Sequence, residues 1–66
     1  MTTRDLLRTV KRLRIERDIT LRELSDQTGL ALSRLHLMLD TVETAKLQDR
    51  TKHKLERWVA RTEAGK

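Results

Sequence analysis

The sequence predicts an all-α protein, and three observations lead to that prediction. The 66 residues include 12 leucines, no proline and two glycines, so helix formers are abundant and helix breakers are rare. Apolar residues recur at helical spacing in four stretches of the chain. Capping signals mark the ends of some of these stretches. We expect a single domain over residues 1–66, with helices at about 3–17, 20–28, 31–39 and 49–62.

The first helix is predicted from an apolar stripe and from charges that suit the helix dipole. Leu6, Val10 and Leu13 are spaced i, i+4 and i+7, which places them on one face. Asp5 lies in the first turn and Arg14 in the last, where each charge is favoured by the dipole. We expect the apolar face to be buried.

The second helix has a start signal and a stop signal. Thr20 and Glu23 form a capping box, in which each side chain accepts a hydrogen bond from the other residue's backbone amide. Ile19, just before the cap, is placed to pack on Leu24. Gly29 is predicted to end the helix, because glycine adopts the left-handed backbone conformation at low cost.

The third and fourth helices each have one apolar face. The face of the third helix is formed by Ala31, Leu35, Met38 and Leu39. The inner face of the fourth helix is formed by Leu55, Trp58, Val59 and Thr62. Residues 40–48 between them show no clear period and are predicted as a loop.

Residues 20–39 combine a capped helix, a glycine turn and a second short helix, which is the pattern of a DNA-binding helix-turn-helix. In that motif two leucines meet across the helices, and a small residue lies where the helices cross closely. The framework positions that we assign are Thr20, Leu24, Ser25, Gly29, Leu35 and Met38. An ordinary antiparallel helical hairpin needs the same glycine and leucines, so the spacing by itself leaves both architectures open.

Two runs of residues resemble the Cro/lambda-repressor (Xre-type) DNA-binding domain. They are Leu7-x-x-Val10-Lys11-x-Leu13-Arg14 and Ile19-Thr20-x-x-Glu23-Leu24-Ser25-x-x-x-Gly29-Leu30, followed by Leu35-x-x-Met38. The resemblance covers residues 7–39 closely and residues 40–62 loosely. It implies a four- to five-helix lambda-repressor-like helix-turn-helix domain that represses transcription. Such a domain binds a palindromic operator in double-stranded DNA as a homodimer, with its third helix in the major groove.

The resemblance also implies which residues read the bases. The outward positions of the third helix are Leu32, Ser33, Arg34, His36 and Leu37. Arg34 suits a bidentate contact with guanine, and the two leucines suit a thymine methyl group. Other roles remain open. Leu32 could pack in the core, Leu37 could contact a protein partner, and His36 could simply be solvated.

The net charge of +5 is distributed unevenly. Residues 1–17 have six bases and two acids (+4), residues 18–45 have two bases and five acids (−3), and residues 46–66 have seven bases and three acids (+4). A basic chain suits a polyanion, either nucleic acid or an anionic membrane surface. The two ends of the chain are therefore the candidates for contact with phosphates.

Two basic stripes are predicted to contact the DNA backbone. Four bases of the fourth helix are spaced i, i+4, i+7 and i+11, opposite Leu55 and Val59: Arg50, Lys54, Arg57 and Arg61. The first helix has a comparable stripe, Arg4, Arg8, Lys11 and Arg12. Arg22 of the second helix is assigned to the backbone as well. A solvated helix face has the same composition, and that reading stays open.

Two further expectations concern contacts between elements. Trp58 and Val59 are candidates for a dimer interface, because a chain this short has a marginal core of its own. The resemblance implies that Arg14 pairs with an acid after the third helix, either Asp40 or Glu43.

Several classes of function are disfavoured by what the sequence lacks. Without cysteine there are no disulfides and no cysteine zinc sites, and the two histidines have no metal-binding spacing, so we expect no metal and no cofactor. We see no nucleophile–base pair, carboxylate dyad or phosphate loop, and expect neither an enzyme nor a small-molecule substrate. No apolar run approaches membrane-spanning length, so we expect a cytoplasmic protein that does not insert in a membrane.

Two alternative functions remain. A surface-bound membrane protein would use the basic amphipathic helices, but one tryptophan and no phenylalanine make weak interfacial anchors. An antitoxin-like or anti-regulator module would use the same fold to bind another protein. The outward leucines Leu32 and Leu37 and the acidic middle of the chain favour it.

Overall fold

The computed structural model describes residues 2–42, 44 and 46–65, and within them the chain forms four α-helices and no β-strand. The helices are α1 (Thr3–Glu16), α2 (Leu21–Thr28), α3 (Leu32–Asp40) and α4 (Asp49–Ala64). The all-α prediction is confirmed. The predicted bounds agree to within one residue, except that α4 extends two residues further than expected.

The helices pack around one apolar core. α1 packs against α3 and α4, and α2 packs against the same two helices. Each helix and the turn before α3 contribute buried side chains, which are Leu6, Leu7, Val10, Leu13, Leu24, Leu30, Leu35, Met38, Leu39, Leu55, Trp58 and Val59. From the segment before α4, Val42 and Leu47 pack against this core. The apolar faces predicted for α1, α3 and α4 therefore meet in the interior, except that Ala31 is exposed at the N-cap of α3 and Thr62 is half-buried.

α1 ends in a turn that the sequence did not predict. Asp18 adopts a left-handed conformation with φ 54°, which aspartate tolerates better than most residues. The Ile19 amide donates to the Arg14 carbonyl at 2.9 Å, and the Asp18 amide donates to the Ile15 carbonyl at 3.2 Å. These two bonds are those of a Schellman motif. The motif reverses the chain and brings Ile19 onto the core.

α2 begins as predicted. The Glu23 amide donates to the Thr20 hydroxyl at 3.1 Å, and the Thr20 amide donates to the Glu23 carboxylate at 3.4 Å. The capping box is therefore confirmed. It satisfies two of the amide groups that every helix start leaves without an intrahelical partner.

The turn between α2 and α3 depends on Gly29. Its φ of 77° is left-handed, and its amide donates to the Ser25 carbonyl at 2.8 Å. The half-buried Ser25 hydroxyl donates to the Leu30 carbonyl, so a small polar residue is needed here for a hydrogen bond across the turn. The Thr28 hydroxyl donates to the Leu24 carbonyl at 2.7 Å and accepts from the Leu30 amide at 3.3 Å. The polar groups of the turn are thus paired.

Replacing Gly29 by valine should lower the free energy of unfolding by about 1–3 kcal/mol, because a β-branched residue is strained in the left-handed region. A Cβ atom at this position would meet nothing within 4 Å, so backbone strain accounts for the expected loss. Urea unfolding followed by circular dichroism measures it. Gly29→Asn should cost less, and Gly65→Ala, where φ is −83°, should cost little. Wild-type stability of Gly29→Val would contradict the assigned turn.

Candidate functional site

α3 has a buried face and an exposed face. The buried face consists of Leu35, Met38 and Leu39. The exposed face consists of Ser33, Arg34, His36, Leu37 and Asp40. Successive residues of a helix are rotated by about 100°, so Ser33 and Leu37 lie at the centre of the exposed face. Four of the five residues predicted to read DNA bases are therefore presented together.

The fifth predicted base-reading residue, Leu32, is half-buried at the edge of the exposed face, so it is divided between the core and the surface. Arg34 and His36 are exposed on opposite sides of the Ser33–Leu37 centre, each about 80° from it. Arg34 lies one turn before Leu37, on the side of the helix next to Met38.

The exposed face of α3 is chemically mixed. Leu37 is 65% exposed, and among the described residues only Ile15 is a comparably exposed large apolar side chain. The Ser33 hydroxyl and the Arg34 guanidinium lie one turn before Leu37, and the Asp40 carboxylate lies one turn after it. The His36 imidazole lies on the far side of Ser33. Such a surface combines hydrogen-bonding groups with one prominent apolar contact.

The N-terminus of α3 has no side-chain cap. Ala31 occupies the N-cap position in an extended conformation and makes no side-chain hydrogen bond. The backbone N–H groups of the first turn and the positive end of the helix dipole are therefore available to an acceptor. Gln48 likewise makes no side-chain capping bond at the start of α4.

The basic stripe of α4 lies on the flank that faces α2. All four of its members are exposed: Arg50, Lys54, Arg57 and Arg61. Two hydrogen bonds define this flank, because the Trp58 Nε1 atom donates to Gln27 Oε1 at 2.7 Å and Arg61 Nη2 donates to the Gln27 carbonyl at 3.2 Å. The acids of α4, which are Asp49, Glu56 and Glu63, lie on the other flank. The basic stripe and the acids of α4 thus lie on different flanks, and Lys52 is the one base on the acidic flank.

A groove of about 660 Å³ runs between the last turn of α2 and the middle of α4. It is lined by Gln27, Thr28, Lys54, Arg57, Ala60 and Arg61. Three of the four bases of the α4 stripe therefore line one concave surface. Sequence reasoning found the bases but missed the groove, because Gln27 carried no periodic or motif signal.

The dimer role predicted for Trp58 and Val59 needs correction. Trp58 is 1% exposed and Val59 is 7% exposed within a single chain. Both already pack in the core, and the polar atom of the indole is paired with Gln27. They have almost no surface left to bury against a second copy.

Arg14 has a backbone partner. Arg14 Nη1 donates to the Ile19 carbonyl at 3.2 Å and so ties the last turn of α1 to the chain that follows it. Of the two predicted acidic partners, Asp40 is exposed at the end of α3, and Glu43 lies outside the described residues, so the pairing with an acid stays a prediction. The neighbouring Arg17 donates to the Thr62 carbonyl at 3.1 Å and so links α1 to α4.

The basic stripe of α1 faces away from the rest of the protein. Arg4, Arg8, Lys11 and Arg12 are exposed on the side opposite the buried face of α1. That buried face packs against α3 and α4, so the stripe points away from both. The remaining predicted backbone contact, Arg22, is exposed on the outer side of α2.

Two other kinds of site are absent from the described part of the chain. No three or more residues of the metal-binding types His, Cys, Asp and Glu come together there. No helix there has the length and apolar character that would let it cross a membrane.

Comparisons with protein-family models, with curated proteins and with solved structures find no match for this chain. The resemblance to the Cro/lambda-repressor domain therefore stays a prediction. It depends on the residues quoted above.

The bond between Trp58 and Gln27 should be measurable as a coupling energy. Gln27→Ala should cost roughly 1–2 kcal/mol in the wild-type background, because it leaves the buried indole N–H without an acceptor. In a Trp58→Phe background the same change should cost much less, since that N–H is already gone. Urea unfolding of the wild type, both single variants and the double variant gives the four free energies of a double-mutant cycle, from which the coupling energy follows. Strictly additive effects would contradict the bond.

Proposed function

We propose that this protein binds double-stranded DNA as a sequence-specific transcriptional regulator of the Cro/lambda-repressor type. One observation carries the proposal: the Gly29 turn joins two short helices so that α3 buries one face and exposes Ser33, His36 and Leu37. The resemblance of residues 7–39 to that family supports the same conclusion. The α2–α3 unit would then be the helix-turn-helix.

The dimensions and chemistry of α3 suit the major groove. A nine-residue helix is about 13 Å long, and the groove of B-DNA is wide enough to admit one. Ser33 can bond to several base edges, and Leu37 at the centre of the face suits a thymine methyl group. Arg34, one turn before Leu37, suits a bidentate contact with guanine. The proposal thus gives the exposed leucine a function that solvation does not.

The phosphate contacts would come from the uncapped start of α3 and from the bases on the α2 side of α4. Backbone N–H groups at a helix N-terminus bind phosphate oxygens readily. Arg50, Lys54 and Arg57 are exposed on one flank, next to the helix that precedes the reading helix. Contacts of this kind hold a protein in register without reading sequence. The α1 stripe is a poorer candidate, because it points away from α3.

A homodimer on a palindromic operator belongs to the same proposal, since two symmetric copies read two half-sites. Its interface must be formed by exposed side chains, because Trp58 and Val59 are buried in the core of the single chain. Sedimentation with and without duplex should therefore show a dimer that survives Trp58→Phe. A monomer under both conditions would remove the dimer from the proposal.

An antitoxin-like or anti-regulator module is the second candidate. The observation that favours it is the exposed Leu37 with Asp40 on the same face of α3. A carboxylate there repels phosphates but suits a basic protein surface. In that case α3 would bind protein in place of DNA.

Arg34→Ala should separate these two candidates. Duplexes are first selected by the protein from random sequences, and binding to selected and scrambled duplexes is then compared. We expect the variant to lose about 1–3 kcal/mol on the selected site and to relax preference at one base pair of each half-site.

The matched control is Arg57→Ala, which removes the same type of charge from α4. It should weaken binding to all sequences alike and reduce the salt dependence by about one unit for each lost phosphate contact. If Arg34→Ala leaves the ratio of selected to scrambled affinity unchanged, Arg34 does not read DNA. If the protein retains no duplex at all during selection, the protein-binding candidate is favoured.

A further inference from the structure

The groove between α2 and α4 concentrates positive charge. Lys54, Arg57 and Arg61 lie within two helical turns of one another, and none of the described residues that line the groove is acidic. Like charges spaced three or four residues apart destabilise a helix. An anion in the groove would relieve that repulsion.

The three bases have different tasks. Arg61 donates to the Gln27 carbonyl, so it neutralises the negative C-terminal end of α2 beside the groove. Lys54 and Arg57 are exposed on the α4 side of the groove, across from Gln27 and Thr28 of α2. Arg61 is thus a positioning residue, and Lys54 and Arg57 supply the charge that a ligand meets.

Gln27 adds a neutral donor to the groove. Its Oε1 atom accepts from the Trp58 indole, which orients the amide group. The Nε2 atom of the Gln27 amide is a hydrogen-bond donor. Gln27 lines the α2 side of the groove, across from Lys54 and Arg57. The small side chain of Ala60 leaves depth between the two walls. Cations on one side and an amide donor on the other make a site for a compact, multiply charged anion.

We propose that this groove binds a diphosphate group of a small free anion, as found in inorganic pyrophosphate or in a nucleoside diphosphate. Lys54 and Arg57 are one turn apart, so their attachment points are separated by about 4.5 Å along α4. A diphosphate carries more charge than a single phosphate and can place one phosphate on each cation, so we expect the groove to favour it. The groove volume is within the range of small-ligand sites.

The test is calorimetric titration of the full chain with sodium pyrophosphate at constant ionic strength. We expect one site per chain and an affinity at least about tenfold higher than that for inorganic phosphate. Emission of Trp58, the only tryptophan, should change over the same concentration range, because its hydrogen-bond acceptor Gln27 lines the groove.

Arg57→Ala and Lys54→Ala should each weaken pyrophosphate binding about tenfold or more. The matched control is Lys52→Ala, which removes a base from the side of α4 opposite the groove and should change the affinity less than about twofold. Circular dichroism checks that the variants remain folded. Loss of binding in Lys52→Ala to the same extent, or equal affinity for phosphate and pyrophosphate, would overturn the proposal.

Measuring pyrophosphate binding and duplex binding on the same protein distinguishes the groove proposal from the DNA-binding proposal. If pyrophosphate binds and no duplex does, the groove proposal stands while the DNA-binding proposal fails. If a selected duplex binds and pyrophosphate does not, the groove takes phosphates only as part of nucleic acid, and the proposal of a free diphosphate ligand is overturned.

Discussion

The left-handed conformation of Gly29 is the constraint on which the arrangement of α3 depends. It stops α2, turns the chain and lets Leu24 and Leu35 enter the same core. The hydroxyls of Ser25 and Thr28 complete the turn by pairing its backbone groups. Only Leu30 and Ala31 separate Gly29 from α3, so the direction of the chain after the turn sets the direction of α3. The position of the exposed face of α3 therefore depends on the backbone conformation of Gly29.

A second fixed point is the hydrogen bond between Trp58 and Gln27. It joins the middle of α4 to the last turn of α2, close to Gly29. The orientation of α4 that allows this bond also turns the basic stripe of Arg50, Lys54, Arg57 and Arg61 towards α2 and the acids away. The bond therefore joins the two helices that form the groove, beside the basic stripe. Because its indole N–H is already paired and its side chain is buried, Trp58 cannot contribute to an interface with a second copy.

Local signals predicted the parts of the fold that depend on neighbouring residues. The capping box at Thr20 and the stop at Gly29 act over three or four residues. Helical periodicity predicted the buried leucines of α1, α3 and α4, although Ala31, assigned to the same face of α3, is exposed. Contacts between distant residues escaped prediction: Gln27 meets Trp58 across 31 positions, and Arg17 meets Thr62 across 45. These pairs depend on how the helices are rotated in the packed protein, which no short stretch of sequence encodes.

Amide chemical-shift mapping can show whether the exposed face of α3 contacts DNA. A ¹⁵N-labelled chain would be titrated with a duplex selected from random sequences. We expect the largest shifts at the amides of residues 32–37, smaller shifts at residues 50–57 and little change at residues 4–12 on the outer face of α1. Largest shifts on α1, with α3 unaffected, would contradict DNA contact by α3.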